Sequence, residues 1–546
     1  IKSLYTGTNA TLGDETISVN DGTITAADLI TINGYTSGFV TSTATKLTGT
    51  AAQLTTIEAA TDTSGDKINN TVLGFAIEIN DAVVDAAALD TLEGKYSGVI
   101  NIASGSAVAG TYAKVTDVYD HTKTTPATIT GLSDKAITLG TTGSPKTAVA
   151  DINTATGYTS AAITATMNET SLAKAKTLTG TGNNITIAIA SNAADGTGKK
   201  LDAGVLKALD AKTTGTITLD NSITNIDGAY ADVYAVLDSS GIAREGDEAT
   251  DLTDNINVSQ ANLLDGKTSG TITAVITDTT IAALETLTLN TDSNGDPVAH
   301  KYTITVGDST VDAAKLNTLD KKTSVKITVN SIALTGSLAE LETAYKNDAA
   351  GGDESLAGLD GEAVTVSDDA LDAAKLVYVL GKTTGDVTVS ASTISGTAAN
   401  LKSVYNAANF KGGGSEIVTV TGTAVDAADL TTLNGKTSGI VNLASTITEI
   451  DGTLTEVNAV LTEAEKTSPG ITTAVLAKTL DVSTALKISE VNTMAARITG
   501  TIDASLTTTG DQIKIDKLLA TTGGLASGHK INLTASTDAG ASGADI

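Results

Sequence analysis

The chain repeats itself, and this constrains its fold more than any other feature. A segment reading Asp-Ala-Ala-x-Leu-x-x-Leu-x-x-Lys-Thr-Ser/Thr-Gly recurs most legibly from Asp85, Asp202, Asp372 and Asp426. The copy from Asp312 has Val325 in place of the Gly, the copy from Thr25 has Tyr35 in place of the Lys, and the copy from Asn257 keeps only its Lys267-Thr-Ser-Gly end. Aligned on the Lys or Tyr position, the copies fall at 35, 95, 212, 267, 322, 382 and 436, with degenerate copies around Asp151–Ser160 and Asp481–Arg497. The period is 54 to 60 residues. A sustained period of this size indicates a stacked array, in which no unit buries its apolar face alone. One continuous array over 1–546 is expected, clearest over 23–461 and degenerate over 462–546.

Within a repeat, Ala363-Val-Thr-Val366 alternates as a half-buried strand does. Asp372 then stands where an N-cap carboxylate would accept the free N–H groups of a short helix carrying Leu376, Val379 and Leu380. Gly381 is expected to stop that helix in a left-handed conformation, with Lys382 beside its C-terminal dipole. Asp386-Val-Thr-Val389 reads as a second strand, and Ser395 as the cap of a second helix with Leu401 and Val404 on one face. The matching caps are Thr48, Asp227, Thr335 and Asp451, with Ala109 the exception. The fold class is therefore α/β: a solenoid of strand–helix coils, two per repeat, with a parallel sheet buried on one face and Thr-rich on the other. A string of small hairpin-rich β domains is the alternative.

Composition narrows the function. Against 34 basic side chains stand 63 acidic ones, a net charge of −29. That opposes binding to nucleic acid or to anionic lipid, both of which need a basic face. Zero Cys excludes disulfides and Cys-ligated metals, and no apolar run is long enough for a transmembrane helix. A chain opening on Ile1 and closing in the low-complexity Thr534–Ile546 reads as a mature or excised piece of something longer.

The Asp-Ala-Ala unit, alternating with Ile394-Ser-Gly-Thr-Ala-Ala-Asn-Leu401, resembles repeats of very large secreted surface proteins of cyanobacteria, from about Thr23 to Leu461. The resemblance implies type I secretion and a place at the cell exterior. Such proteins often carry calcium-binding glycine-rich nonapeptides, but no Gly-Gly-x-Gly-x-Asp unit occurs here, so calcium does not carry over.

Candidate chemistry is sparse. His121, His300 and His529 lie far apart, and the Gly-Lys-Thr of the repeat follows a helix instead of opening one, unlike a phosphate loop. Lys95, Lys212, Lys267, Lys322, Lys382 and Lys436 read as dipole partners or as a row of inter-subunit ion pairs. Asp292, Asn294 and Asp296 space oxygen ligands as the first half of an EF-hand loop does, with Thr303 where the closing Glu would stand. They are the candidate metal ligands, and calcium is the candidate ion. Looser clusters are Asp62 with Asp66, and Asp348 with Asp353, Glu354 and Asp360. The expectation is a non-enzymatic structural protein of the cell exterior that assembles with copies of itself into a layer or filament. The alternative is an adhesin or ligand-binding scaffold, with cell-surface polysaccharide as its ligand class.

Overall fold

The computed structural model describes residues 13–61, 67–123, 128–140, 145–193, 198–292, 294–348, 355–507 and 530–534. The chain is mixed α/β with repeat-like architecture, and its registered strand pairs run parallel. It forms two compact units. One comprises Ile1–Ile256, Asn262–Ala274 and Asn290–Val298; the other comprises Asn257–Ala261, Val275–Leu289 and Ala299–Ile546.

The second unit shows the plan most clearly. A sheet starts at Thr310–Asp312 and continues through Ala333–Gly336, Ala363–Val366, Val387–Val389 and Phe410–Lys411. The next starts at Ala370–Asp372 and runs through Thr393–Gly396, Ile417–Val420 and Val441–Leu443. A third starts at Ala424–Asp426. Each repeat thus opens a new sheet on the short strand that ends in its helix-capping Asp. In the first unit, sheets start likewise at Thr23–Thr25, Val83–Asp85 and Lys200–Asp202. The sequence reading missed these starting strands, because three residues such as Ala370-Leu-Asp372 carry too little alternation to register.

One rung is therefore strand, strand, helix. Strands alternate: in Ile217–Leu219, Ile327–Val329 and Val387–Val389 the outer two residues are buried and the central Thr is exposed. Helices bury one stripe, as Ala373, Leu376, Val379 and Leu380 do in Ala373–Leu380. The repeated Asp is an N-cap: Asp85, Asp202, Asp372 and Asp426 each accept a first-turn N–H at 2.7–3.0 Å.

Two expectations fail in detail. The second helices are capped by Thr50, Thr111, Ser337, Thr397 and Thr453, so Thr48, Ala109, Thr335, Ser395 and Asp451 are strand residues two positions earlier. Asp227 is likewise in a strand, Asn225–Asp227. Cap-forming residue types also suit the exposed face of a strand, which misplaced the boundary. Gly381 and Gly435 end their helices in the right-handed region, with φ −83 and −74. Ala211 and Lys321 hold the same place elsewhere, so no left-handed stop is needed.

What the repeated Thr-Ser/Thr-Gly does is bind one rung to the preceding one. In seven rungs the hydroxyl of Thr36, Thr159, Thr213, Thr268, Thr323, Thr383 or Thr437 donates 2.6–2.8 Å to a main-chain carbonyl 20 or more residues upstream. The same oxygen accepts the N–H two residues on at 2.9–3.1 Å. Where Gly follows, backbones are too close for a side chain: a Cβ on Gly439 would lie 2.6 Å from the Glu416 carbonyl carbon, and on Gly385 2.5 Å from that of Glu362. Helix N-termini stack through an equally tight step, since a Cβ on Gly396 would lie 2.6 Å from that of Ala373. Carboxylates from the following rung add a second cap, as Asp81 to Ala51 N (2.7 Å), Asp254 to Tyr230 N (2.8 Å) and Asp368 to Leu338 N (2.6 Å).

Candidate functional site

With the repeated side chains committed to stacking, the residues left for chemistry are those where the repeat departs from itself. The clearest departure is on the exposed face of the sheet that starts at Ala424–Asp426. Register places Asp426, Asp451, Asp481 and Asp503 side by side on four consecutive strands. Glu449 shares their face, two residues before Asp451, while Ile450 between them is buried. Ligand atoms of Glu449, Asp451 and Asp481 all lie within 4.8 Å of one another. The Asp451 Oδ1 atom is buried and has no hydrogen-bond partner.

Electrostatics follow from that crowding. Partial burial, then the charges of Asp451 and Asp481, push the Glu449 carboxyl up from its ordinary value. Burial, then the charge of Asp481, does the same to Asp451. The equivalent row in the first unit, Asp202, Asp227 and Asp251, is built differently. There Lys200 places its ammonium 3.1 Å from Asp227 and 2.6 Å from Asp251. Asn225 adds amide donors to both at 3.0 and 3.2 Å. Ala424 stands where Lys200 does, and Glu449 where Asn225 does. Two substitutions of the pattern thus replace a neutralised row by an acidic one. Chemically, the Glu449–Asp451–Asp481 group can share a proton or offer hard oxygen donors of the kind calcium takes.

The residues predicted from sequence lie elsewhere. Asp292, Asn294 and Asp296 form a tight turn in which the Asp292 carboxylate accepts the N–H groups of Asn294 at 2.8 Å and Asp296 at 3.0 Å. These N–H groups hold the Asp292 carboxyl below its usual range. Asp62 and Asp66 fall outside the described residues, as do Asp353, Glu354 and His529. Asp348 is described, and burial raises its carboxyl. His121 sits 3.3 Å from Glu93, and His300 is fully buried against the Tyr302 ring. Of the six repeated lysines, Lys95, Lys212, Lys267 and Lys322 reach back to the preceding rung, while Lys382 lies over the ring of Tyr378 in its own helix. Lys95 pairs with Glu58 (2.9 Å), Lys267 with Asp238 (2.6 Å), and Lys212 donates to the Leu178 carbonyl (2.6 Å). These four are intrachain ties, with cationic ends placed on the free carbonyls or acidic side chains of the helix before.

Sequence reasoning missed the Glu449–Asp451–Asp481 group because 30 residues separate Asp451 from Asp481, and only register joins them. The available signal was Asp at one phase of successive rungs. No protein-family model and no curated protein matches this chain.

Proposed function

We propose that the chain is a non-enzymatic structural protein of the cell exterior. Each unit is a solenoid of stacked rungs, two per 54–60-residue repeat, and copies assemble into a surface layer or filament. One observation carries this reading: the residue types that recur are consumed within the stack, in capping its helices or in joining one rung to the next. The Thr hydroxyl, the close-packed Gly, the capping Asp and the reaching Lys each have a partner within the stack. A chain that spends its repeated chemistry on its own continuity is a scaffold. Its strands turn uncovered Thr residues outward, among them Thr218, Thr328 and Thr388, and these offer hydrogen-bonding groups to another copy. No helix among the described residues is long and apolar enough to cross a membrane.

Self-repulsion from a net charge of −29 must be screened or bridged for copies to meet. Acidic rows such as that of Glu449, Asp451 and Asp481 are where divalent cations would act. Sedimentation velocity tests the proposal: s-values should rise with protein concentration at about 0.15 M salt, further with calcium, and less in Thr218→Lys with Thr388→Lys. A single monomeric species under all of these conditions would contradict it.

A further inference from the structure

We propose that the Asp296–Pro297 bond is a self-processing point, cleaved by the Asp296 carboxyl group itself. The four prolines follow Thr125, Ser144, Asp296 and Ser468, so this is the one Asp–Pro bond in the chain. It sits on the surface, with both residues exposed, in a turn closed by antiparallel pairing of Thr291 with Pro297. The two neighbouring carboxyls are divided in role. That of Asp292, the titratable group on the opposing arm, is committed to the N–H groups of Asn294 and Asp296. That of Asp296 makes no hydrogen bond or ion pair with another described residue, and the main-chain carbonyl it would attack is its own.

The scissile carbonyl is also activated. The Asp296 carbonyl oxygen accepts the Asp292 N–H at 2.9 Å, so a fixed donor faces the atom on which negative charge would develop. Proline supplies a tertiary amide nitrogen, whose amide is more easily twisted than a secondary one. In the step proposed, an Asp296 carboxyl oxygen attacks the Asp296 main-chain carbonyl carbon and forms a five-membered cyclic anhydride. The bond from that carbon to the Pro297 nitrogen breaks, and the carboxyl proton ends on the nitrogen. Water then opens the anhydride, leaving Asp296 as a C-terminus and Pro297 as a new N-terminus. Nothing is oxidised or reduced, and water is the only co-reactant. Tethering of nucleophile and electrophile in one residue supplies the rate advantage of an intramolecular reaction.

The position in the chain gives the cut a consequence. The bond lies in the last stretch of the first unit, Asn290–Val298, and the second unit resumes at Ala299. The second unit nevertheless takes Val275–Leu289 from before the cut. There Lys315 pairs with Glu285 (2.8 Å) and Ile281 N–H donates to Asp308 (2.5 Å). A cleaved chain therefore stays together until it is denatured.

The test is to hold the full chain folded in buffer and, in parallel, unfolded in urea. Samples are followed by denaturing gel and intact mass. The proposal expects fragments 1–296 and 297–546, formed roughly tenfold faster folded than in urea. Asp296→Ala should abolish cleavage, and Asp296→Glu, which needs a six-membered ring, should slow it strongly. Circular dichroism establishes that both variants are folded. Persistence of the intact folded chain, or cleavage of Asp296→Ala at the same bond, would overturn the proposal. Equal rates in the folded and urea-denatured chain would also overturn it, since the turn would then contribute nothing.

Discussion

Gly435 and Gly439 lie four residues apart in one repeat, and replacing each by Ala should have opposite effects. At Gly439 the new Cβ would meet the Glu416 carbonyl carbon at 2.6 Å and the Ser415 oxygen at 2.8 Å, both backbone atoms that cannot step aside. To make room, the rungs must part, which stretches the Thr437 hydroxyl bond to Glu416 (2.7 Å) and both Ser438 bonds to the Gly414 carbonyl (2.7 and 2.9 Å). Overpacking costs about 1–3 kcal/mol, and each weakened bond adds up to about 1 kcal/mol. The expected loss is therefore about 3 kcal/mol or more. At Gly435 the backbone is right-handed and the nearest atom to a Cβ is 3.4 Å away, an ordinary contact. Ala there reduces the freedom of the unfolded chain and should gain up to about 1 kcal/mol. Because repeat arrays open locally, native-state hydrogen exchange of peptides covering 414–443 is the suitable assay. Equal costs at the two positions would refute the reasoning, since they would mean that both glycines serve backbone conformation and not close approach.

Leu430→Ala should cost about 2–5 kcal/mol in the same assay, because Leu430 is fully buried, whereas Lys436→Ala, at an exposed position, should stay within about 0.5 kcal/mol. Asp368→Ala removes the carboxylate that caps Leu338 N–H from the next rung and should cost about 1 kcal/mol, read as faster exchange in helix Leu338–Asn347. Glu449 and Asp451 have carboxyls raised above their unfolded values, so the folded state holds more protons. Stability then falls as pH rises from about 4 through the raised values and stays reduced above them. Glu449→Gln with Asp451→Asn should accordingly protect this sheet at about pH 7 and have little effect below about pH 4; protection that grows on acidification would reverse the sign assigned here.

Much of the fold was legible because stacking imposes period. Asp85, Asp202, Asp372 and Asp426 read as N-caps and are N-caps, since a helix start demands a particular residue at a particular place. Leu376 and Leu430 read as core and are buried. What was not legible depends on which strands lie side by side. Thr383 looks like any turn residue until its hydroxyl is seen to reach the Glu362 carbonyl, 21 positions away. Asp451 looked like a cap because Asp is a cap residue, and only the pairing Asp451 with Asp481 turns it into part of an acidic row. The lysines were read against their own helix, whereas the long side chain of Lys212 reaches the rung before it. A pattern within one rung is local physics. A pattern between rungs needs the register, which the sequence carries only as a phase.

Electron microscopy of the concentrated full chain, with calcium and with a chelator, bears most directly on the claim that this is a self-assembling structural protein. The account predicts ordered layers or filaments with calcium and their dissolution in chelator at low salt. Dispersed, uniform particles at every concentration, with or without calcium, would contradict it.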